Sequence, residues 1–96
     1  MSSSTKAPAG HFTILYFASA SSHTSKSSEF IAAPLPISKL FPKLEDQYQG
    51  FKAKVLDSSL VTVNLEYVDI PDTPTDDEFI IKEGDEVAII PPVSSG

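Results

Sequence analysis

Gly84-Asp85-Glu86-Val87-Ala88-Ile89-Ile90-Pro91-Pro92-Val93 (GDEVAIIPPV) is the stretch on which the reading of this 96-residue chain turns. Gly84 takes third place in the tight turn Lys82-Glu83-Gly84-Asp85, where a left-handed backbone suits glycine. Residues 86–90 are rich in Val and Ile and read as a strand. Pro91 and Pro92 stop it, because neither can donate to a ladder and both favour an extended chain. The last residues, Pro91-Pro92-Val93-Ser94-Ser95-Gly96, therefore form an extended tail.

Working outward, Phe12-Thr13-Ile14-Leu15-Tyr16-Phe17-Ala18 is aromatic and β-branched, which predicts a first strand. Phe12, Ile14 and Tyr16 point to one face and Thr13, Leu15 and Phe17 to the other. Apolar groups on both faces predict a central strand, or one with a partner on its second face. Residues 19–28 hold six Ser in ten and read as a flexible loop. A second short strand, 29–33, ends at Pro34 and Pro36. Ser38 is placed as the N-cap of a helix with an apolar stripe of Leu40, Phe41, Leu44 and Tyr48, stopping near Gly50. Pro42 falls in its first turn, where a missing N–H costs little. Residues 60–68 read as strand, turn and strand with Asn64 near the turn. Residues 70–78 hold two Pro and four acids and read as a loop before Phe79-Ile80-Ile81. One helix packed on one face of a mixed sheet is an α+β layer, and a hairpin, a crossover helix and returning strands describe a β-grasp.

Composition narrows the function. Apolar residues are 41% of the chain and charged residues 21%, an ordinary globular balance. Seven Lys against thirteen acids give a net charge of −6, which disfavours nucleic acid and anionic membrane as partners. The charge is lopsided: residues 61–96 carry nine acids and one Lys. With no Cys there is no disulfide, thiolate nucleophile or Cys-based zinc site, which fits a reducing, cytosolic setting. The first ten residues are polar and Ser-rich and lack the apolar core of a secretory signal. The expected organisation is a disordered leader over 1–10, one domain over 11–91 and a flexible tail over 92–96.

Two stretches carry a resemblance. Leu15-Tyr16-Phe17-Ala18 resembles the first strand of the molybdopterin synthase small subunit family. GDEVAIIPPV resembles that family's last strand and tail, and Val63-Asn64-Leu65-Glu66-Tyr67-Val68 falls where the family has its Val-Asn turn. The resemblance spans residues 12–96. It implies a ubiquitin-like β-grasp sulfur carrier whose C-terminal Gly96 is adenylated by a ubiquitin-activating-type enzyme and converted to a thiocarboxylate. The carrier then docks on a large catalytic subunit, as two small and two large subunits, and gives sulfur to a cyclic pyranopterin. Phe17, Tyr67 and Ile90 fall on the docking face by the same resemblance; as ordinary core they would instead be buried. Ser95 stands where the family usually has Gly, and Ser21-Ser22 where it often has Arg-Glu. Carriers for transfer RNA thiolation or thiazole synthesis would share the tail chemistry, and an inert ubiquitin-like module would share only the fold.

The tail residues suit that chemistry. A carboxylate is a poor electrophile until adenylation supplies a leaving group. A nucleophile delivered on a tether reacts as if unimolecular, an advantage of up to about 7–11 kcal/mol in ideal cases. Gly96 lacks a Cβ, so its acyl carbon is open from both sides. Pro91 and Pro92 stiffen the tail and Val93, Ser94 and Ser95 carry no charge, so it threads a channel with little entropic loss. ATP is expected only in the activating enzyme, because the four glycines are isolated and form no phosphate loop. His11 and His23 are expected on solvated surface, and Asp72, Asp76, Asp77 and Glu78 as a solvated acidic loop without calcium-loop spacing.

Overall fold

A computed structural model describes residues 7–71 and 73–92. Seven strands are present among them: β1 (His11–Tyr16), β2 (Ser28–Ala32), β3 (Leu35–Pro36), β4 (Leu60–Val63), β5 (Glu66–Val68), β6 (Ile80–Ile81) and β7 (Glu86–Ile90). Five form one mixed sheet in the order β2-β1-β7-β4-β5, and β3 pairs with β6 in a separate two-stranded piece. β1 runs parallel to β7, while the β1–β2, β4–β7 and β4–β5 pairings are antiparallel. This mixed sheet with helices on one face is the ubiquitin-like β-grasp expected from the sequence.

The alternation read from β1 holds. Phe12, Ile14 and Tyr16 are buried, together with Ile31 of β2, Val87 and Ile89 of β7, and Val61 and Val63 of β4. They pack against α2 (Leu40–Gln47), through Leu40, Phe41 and Leu44, and against Phe51 of α3 (Phe51–Lys54). The helix expected between Ser38 and a stop near Gly50 is present as α2, and α3 beyond Gly50 is an addition to it. Residues 37–39 are a 3-10 turn, α2 ends at Tyr48 in extended backbone, and Gly50 sits at φ 84 before α3. Glu45 bridges the break, its carboxylate accepting the N–H groups of Gly50 and Lys52, both at 2.9 Å.

Ser38 does not cap the helix. Its own N–H instead donates to Glu78 Oε1 at 2.7 Å, so a carboxylate forty residues away satisfies that turn. Glu78 also accepts the Thr75 N–H, and these bonds hold its carboxyl below the usual range. The expected loop over 19–28 contains α1 (Ser19–Thr24). Ala20 is fully buried and Thr24 is buried four residues on, its hydroxyl donating to the Ala20 carbonyl at 3.0 Å. The helix forms because one methyl group anchors it to the core. The two predicted turns stand: Gly84 is at φ 83, and Asn64 and Leu65 at φ 52 and 72 make a tight β4–β5 hairpin. Of the expected leader, residues 8–10 turn into β1, with the Gly10 N–H donating to Glu83 Oε2 at 2.9 Å. Residues 1–6 lie outside the described residues, as do Asp72 and 93–96.

A polar cluster closes the sheet at β2. Glu29 Oε2 accepts the hydroxyls of Tyr16 and Tyr48, and Glu29 Oε1 accepts Lys26 Nζ and Gln47 Nε2, both at 3.2 Å. Burial opposes the Glu29 charge, but hydrogen bonds from the two tyrosines and Lys26 outweigh it and hold its carboxyl below the ordinary value. Burial, then Glu29, pushes the Tyr16 hydroxyl well up. A depressed carboxyl contributes stability above its unfolded pKa and loses it as pH falls through the folded one. Glu29→Gln therefore flattens the loss of stability with falling pH below about 4.5, read as urea midpoints across an acid series. Glu45 and Glu78 are shifted the same way, so a residual slope remains. Tyr16→Phe costs about 1–3 kcal/mol at neutral pH, because it leaves a half-buried carboxylate short of a donor.

Candidate functional site

Helices cover one face of the sheet, and the other face stays open. On β7, Val87 and Ile89 point to the core, so Glu86, Ala88 and Ile90 point away from it. Cross-strand register extends that face: Ala88 pairs with Leu15 on β1 and Thr62 on β4, Ile90 pairs with Leu60, and Thr62 pairs with Tyr67 on β5. Phe17 continues β1, its N–H donating to the Ile89 carbonyl at 3.2 Å. Phe17 is 46% exposed and Tyr67 72%, and Ile90 is half-buried. The structure therefore brings Phe17, Tyr67 and Ile90 to one surface and takes all three out of the core. They border a shallow trough of about 260 Å³, with Thr62 and Ala88 at its lining and Leu65 and Glu86 at its sides.

Leu65 is unusual twice over. It is 86% exposed, and it sits in left-handed backbone that normally costs a leucine about 1–2 kcal/mol. A strained residue that also shows its whole apolar side chain to water points to use by a partner. Sequence reading passed over it, although a leucine following the turn-forming Asn64 was the available signal. The hairpin is nevertheless firmly built: Asn64 Oδ1 accepts the Glu86 N–H at 3.0 Å, and Asn64 Nδ2 donates to Asp85 at 3.1 Å.

The chain leaves the sheet beside this face. Ile90 lies between Leu60 and the end of β1, Pro91 is buried, and Pro92 is exposed. Of the tail residues, Pro91 and Pro92 are placed in this way; Val93, Ser94, Ser95 and Gly96 lie outside the described residues. The histidines are elsewhere. His23 is half-buried rather than solvated, because its ring stacks on Phe51 with centroids 4.9 Å apart. His11 is also half-buried, its Nδ1 3.0 Å from the Ala9 carbonyl. Among the described residues no group of three His, Cys, Asp or Glu could hold a metal ion, and no helix is long and apolar enough to cross a membrane.

A family model described as the ThiS family matches residues 14–96. The chain belongs to the ThiS family. It is 61% identical over 94 residues to the molybdopterin synthase sulfur carrier subunit of Phaeosphaeria nodorum, covering 97% of this chain and 98% of that protein. Among solved structures, a putative molybdopterin converting factor subunit 1 from Pyrococcus furiosus superposes with a TM-score of 0.68 at 26% identity, covering 86% of this chain and 98% of that one. The fold also matches a chain from the complex of subunits 1 and 2 of molybdopterin-converting factor of Helicobacter pylori, with a TM-score of 0.54 at 22% identity, covering 90% and 99%. As a ThiS-family member, the chain shows its open apolar face at the sheet end from which the C-terminal residues depart.

The face assignment has a direct stability test. Tyr67→Ser changes the unfolding free energy by less than about 0.5 kcal/mol, because the ring is already in water. Ile89→Ala, one position from Ile90 but facing inward, costs about 2–5 kcal/mol. Leu65→Gly stabilises by about 1–2 kcal/mol through release of the left-handed strain. Urea unfolding of the three variants checks all three values.

Proposed function

We propose that this protein is the sulfur carrier subunit of a cytosolic molybdopterin synthase, and that its terminal carbonyl is the atom that changes chemically. The observation that carries the reading is the coincidence of the exposed apolar face with the root of the tail. Four residues follow Pro92, and a chain of four spans at most about 14 Å. Whatever docks on Phe17, Tyr67 and Ile90 therefore has Gly96 delivered close to the docking site.

The reaction follows from the chemistry of a C-terminal carboxylate. A ubiquitin-activating-type partner uses ATP to convert the Gly96 carboxylate to an acyl adenylate, releasing pyrophosphate. A sulfur nucleophile attacks the acyl carbon, AMP leaves, and a thiocarboxylate remains. The carrier then docks on the large catalytic subunit, in an assembly of two small and two large subunits; the thiocarboxylate sulfur attacks the pyranopterin precursor, and water then cleaves the acyl–sulfur bond, leaving sulfur on the pterin and returning the Gly96 carboxylate. No side chain of this chain is needed as acid or base; the large subunit provides those groups and the pterin pocket. The acidic C-terminal third favours a basic partner surface and fast encounter. The absence of Cys supports a reducing compartment and leaves no thiol to compete for the activated carbonyl.

Incubation with ATP, the activating enzyme and a sulfur donor should raise the intact mass by the exchange of one oxygen for sulfur at Gly96. Deletion of Gly96 should abolish that gain and all sulfur transfer while leaving unfolding unchanged; retained transfer would contradict the reading. Phe17→Asp and Ile90→Asp should weaken docking on the large subunit by about 10- to 100-fold while adenylation proceeds. Pull-down of a pterin-synthesising large subunit, rather than a transfer RNA or thiazole enzyme, identifies the recipient.

A further inference from the structure

The trough on the open face is chemically lopsided. Thr62 is largely covered, but its hydroxyl reaches the trough surface and makes no hydrogen bond among the described residues. The other buried threonine, Thr24, is fully engaged with the Ala20 carbonyl. A hydroxyl open to the trough and unused by its own fold is free to accept a bond from a docked group. Glu86 borders the same trough, exposed; its backbone N–H and carbonyl are both bonded to Asn64, and its carboxylate makes no hydrogen bond among the described residues. The Glu86 carboxylate has no cation on it among the described residues, and residues 61–96 contain a single Lys. The aromatic rings of Phe17 and Tyr67 are exposed on the same rim. Together they offer two hydrogen-bond acceptors and two π-faces, beside a strained, exposed Leu65.

We propose that this trough receives one arginine side chain of the large catalytic subunit, its guanidinium stacked on the aromatic rim and bonded to the Glu86 carboxylate and Thr62 Oγ1. The proposal rests on the docking reading above and names the partner chemistry at that same surface. Arginine fits because its planar, weakly hydrated cation stacks on aromatic rings while its fork of donors reaches two acceptors at once. A lysine ammonium is a compact, strongly hydrated point charge and cannot do both. A partner tyrosine or leucine would fill the trough but bury the Glu86 carboxylate without a cation, which is costly. Glu86 and Thr62 thereby select the partner, while Phe17 and Ile90 supply apolar area.

The test is calorimetric titration of the full chain into the large subunit of the same organism at several salt concentrations. Glu86→Gln should weaken binding about 10-fold and flatten the salt dependence, as expected for loss of a charge-assisted bond. Thr62→Val should weaken it about 3- to 10-fold, and Thr62→Ser, which keeps the hydroxyl, should restore it. Arginine-to-alanine substitutions across the basic surface of the large subunit should include one that makes Glu86→Gln silent. If Glu86→Gln and Thr62→Val bind like the parent while Phe17→Asp does not, the arginine proposal is overturned and docking through this face stands. Strictly additive losses for every arginine also overturn it. If Phe17→Asp also binds unchanged, the docking reading itself fails.

Discussion

The parallel pairing of β1 with β7 is the constraint on which the rest of the molecule depends. It joins Thr13 to Glu86, Ile14 to Val87, Leu15 to Ala88 and Tyr16 to Ile89. Bringing together segments about seventy residues apart carries a loop-closure cost that grows slowly with length, and only burial at the seam offsets it. That burial is there: Phe12, Ile14, Val87 and Ile89 are sealed between the sheet and the helices. The functional consequence is positional. β7 lies mid-sheet, held by β1 on one side and β4 on the other. Chain ends usually fray, whereas the base of this tail is fixed in the most cross-braced part of the fold.

A sheet with helices on one side only leaves an exposed second side, and the sequence treats the two sides differently. The core side is closed with large apolar groups and, at the β2 edge, with the Glu29 cluster, in which the hydroxyls of Tyr16 and Tyr48 both find an acceptor. The open side mixes Leu15, Phe17, Tyr67 and Ile90 with Thr62 and Glu86. Exposed aromatics gathered on one patch, with an unused hydroxyl and carboxylate between them, are what the proposed docking would use. Stability is concentrated on one side, so residues of the open side can vary without loosening the core.

What the sequence made legible followed local rules strong enough to survive tertiary context. Gly84 and Asn64 mark turns because positive φ is expensive for most other residues. The period-two pattern of β1 assigned its faces correctly, whereas Phe17, Tyr67 and Ile90 are grouped by the family resemblance, because they lie on three different segments that no local pattern links. Three features escaped for physical reasons. α1 is anchored by Ala20, whose small side chain gives no periodic signal within a serine-rich run. The turn at Ser38 is satisfied by Glu78 across forty residues, and a nearby serine is a persuasive decoy for that role. The Glu29 cluster gathers residues from β1, β2, α2 and its flanks, which only the finished topology brings together.

Leu65 shows how these levels conflict at the site and nowhere else so plainly. The hairpin geometry demands left-handed backbone at two successive positions, which Asn64 tolerates and a leucine does not. Glycine would satisfy the turn, and a polar residue would satisfy the water; the chain has neither. Stability alone selects against this choice on both counts, so its presence beside Tyr67 and the trough requires a benefit realised outside the isolated fold. A docked partner supplies one by covering the side chain. The same partner would offer bonds to the accessible Thr62 hydroxyl and the exposed Glu86 carboxylate. The strained, exposed Leu65 and the unused polar groups beside it then share one explanation under the proposed docking of another protein on this face.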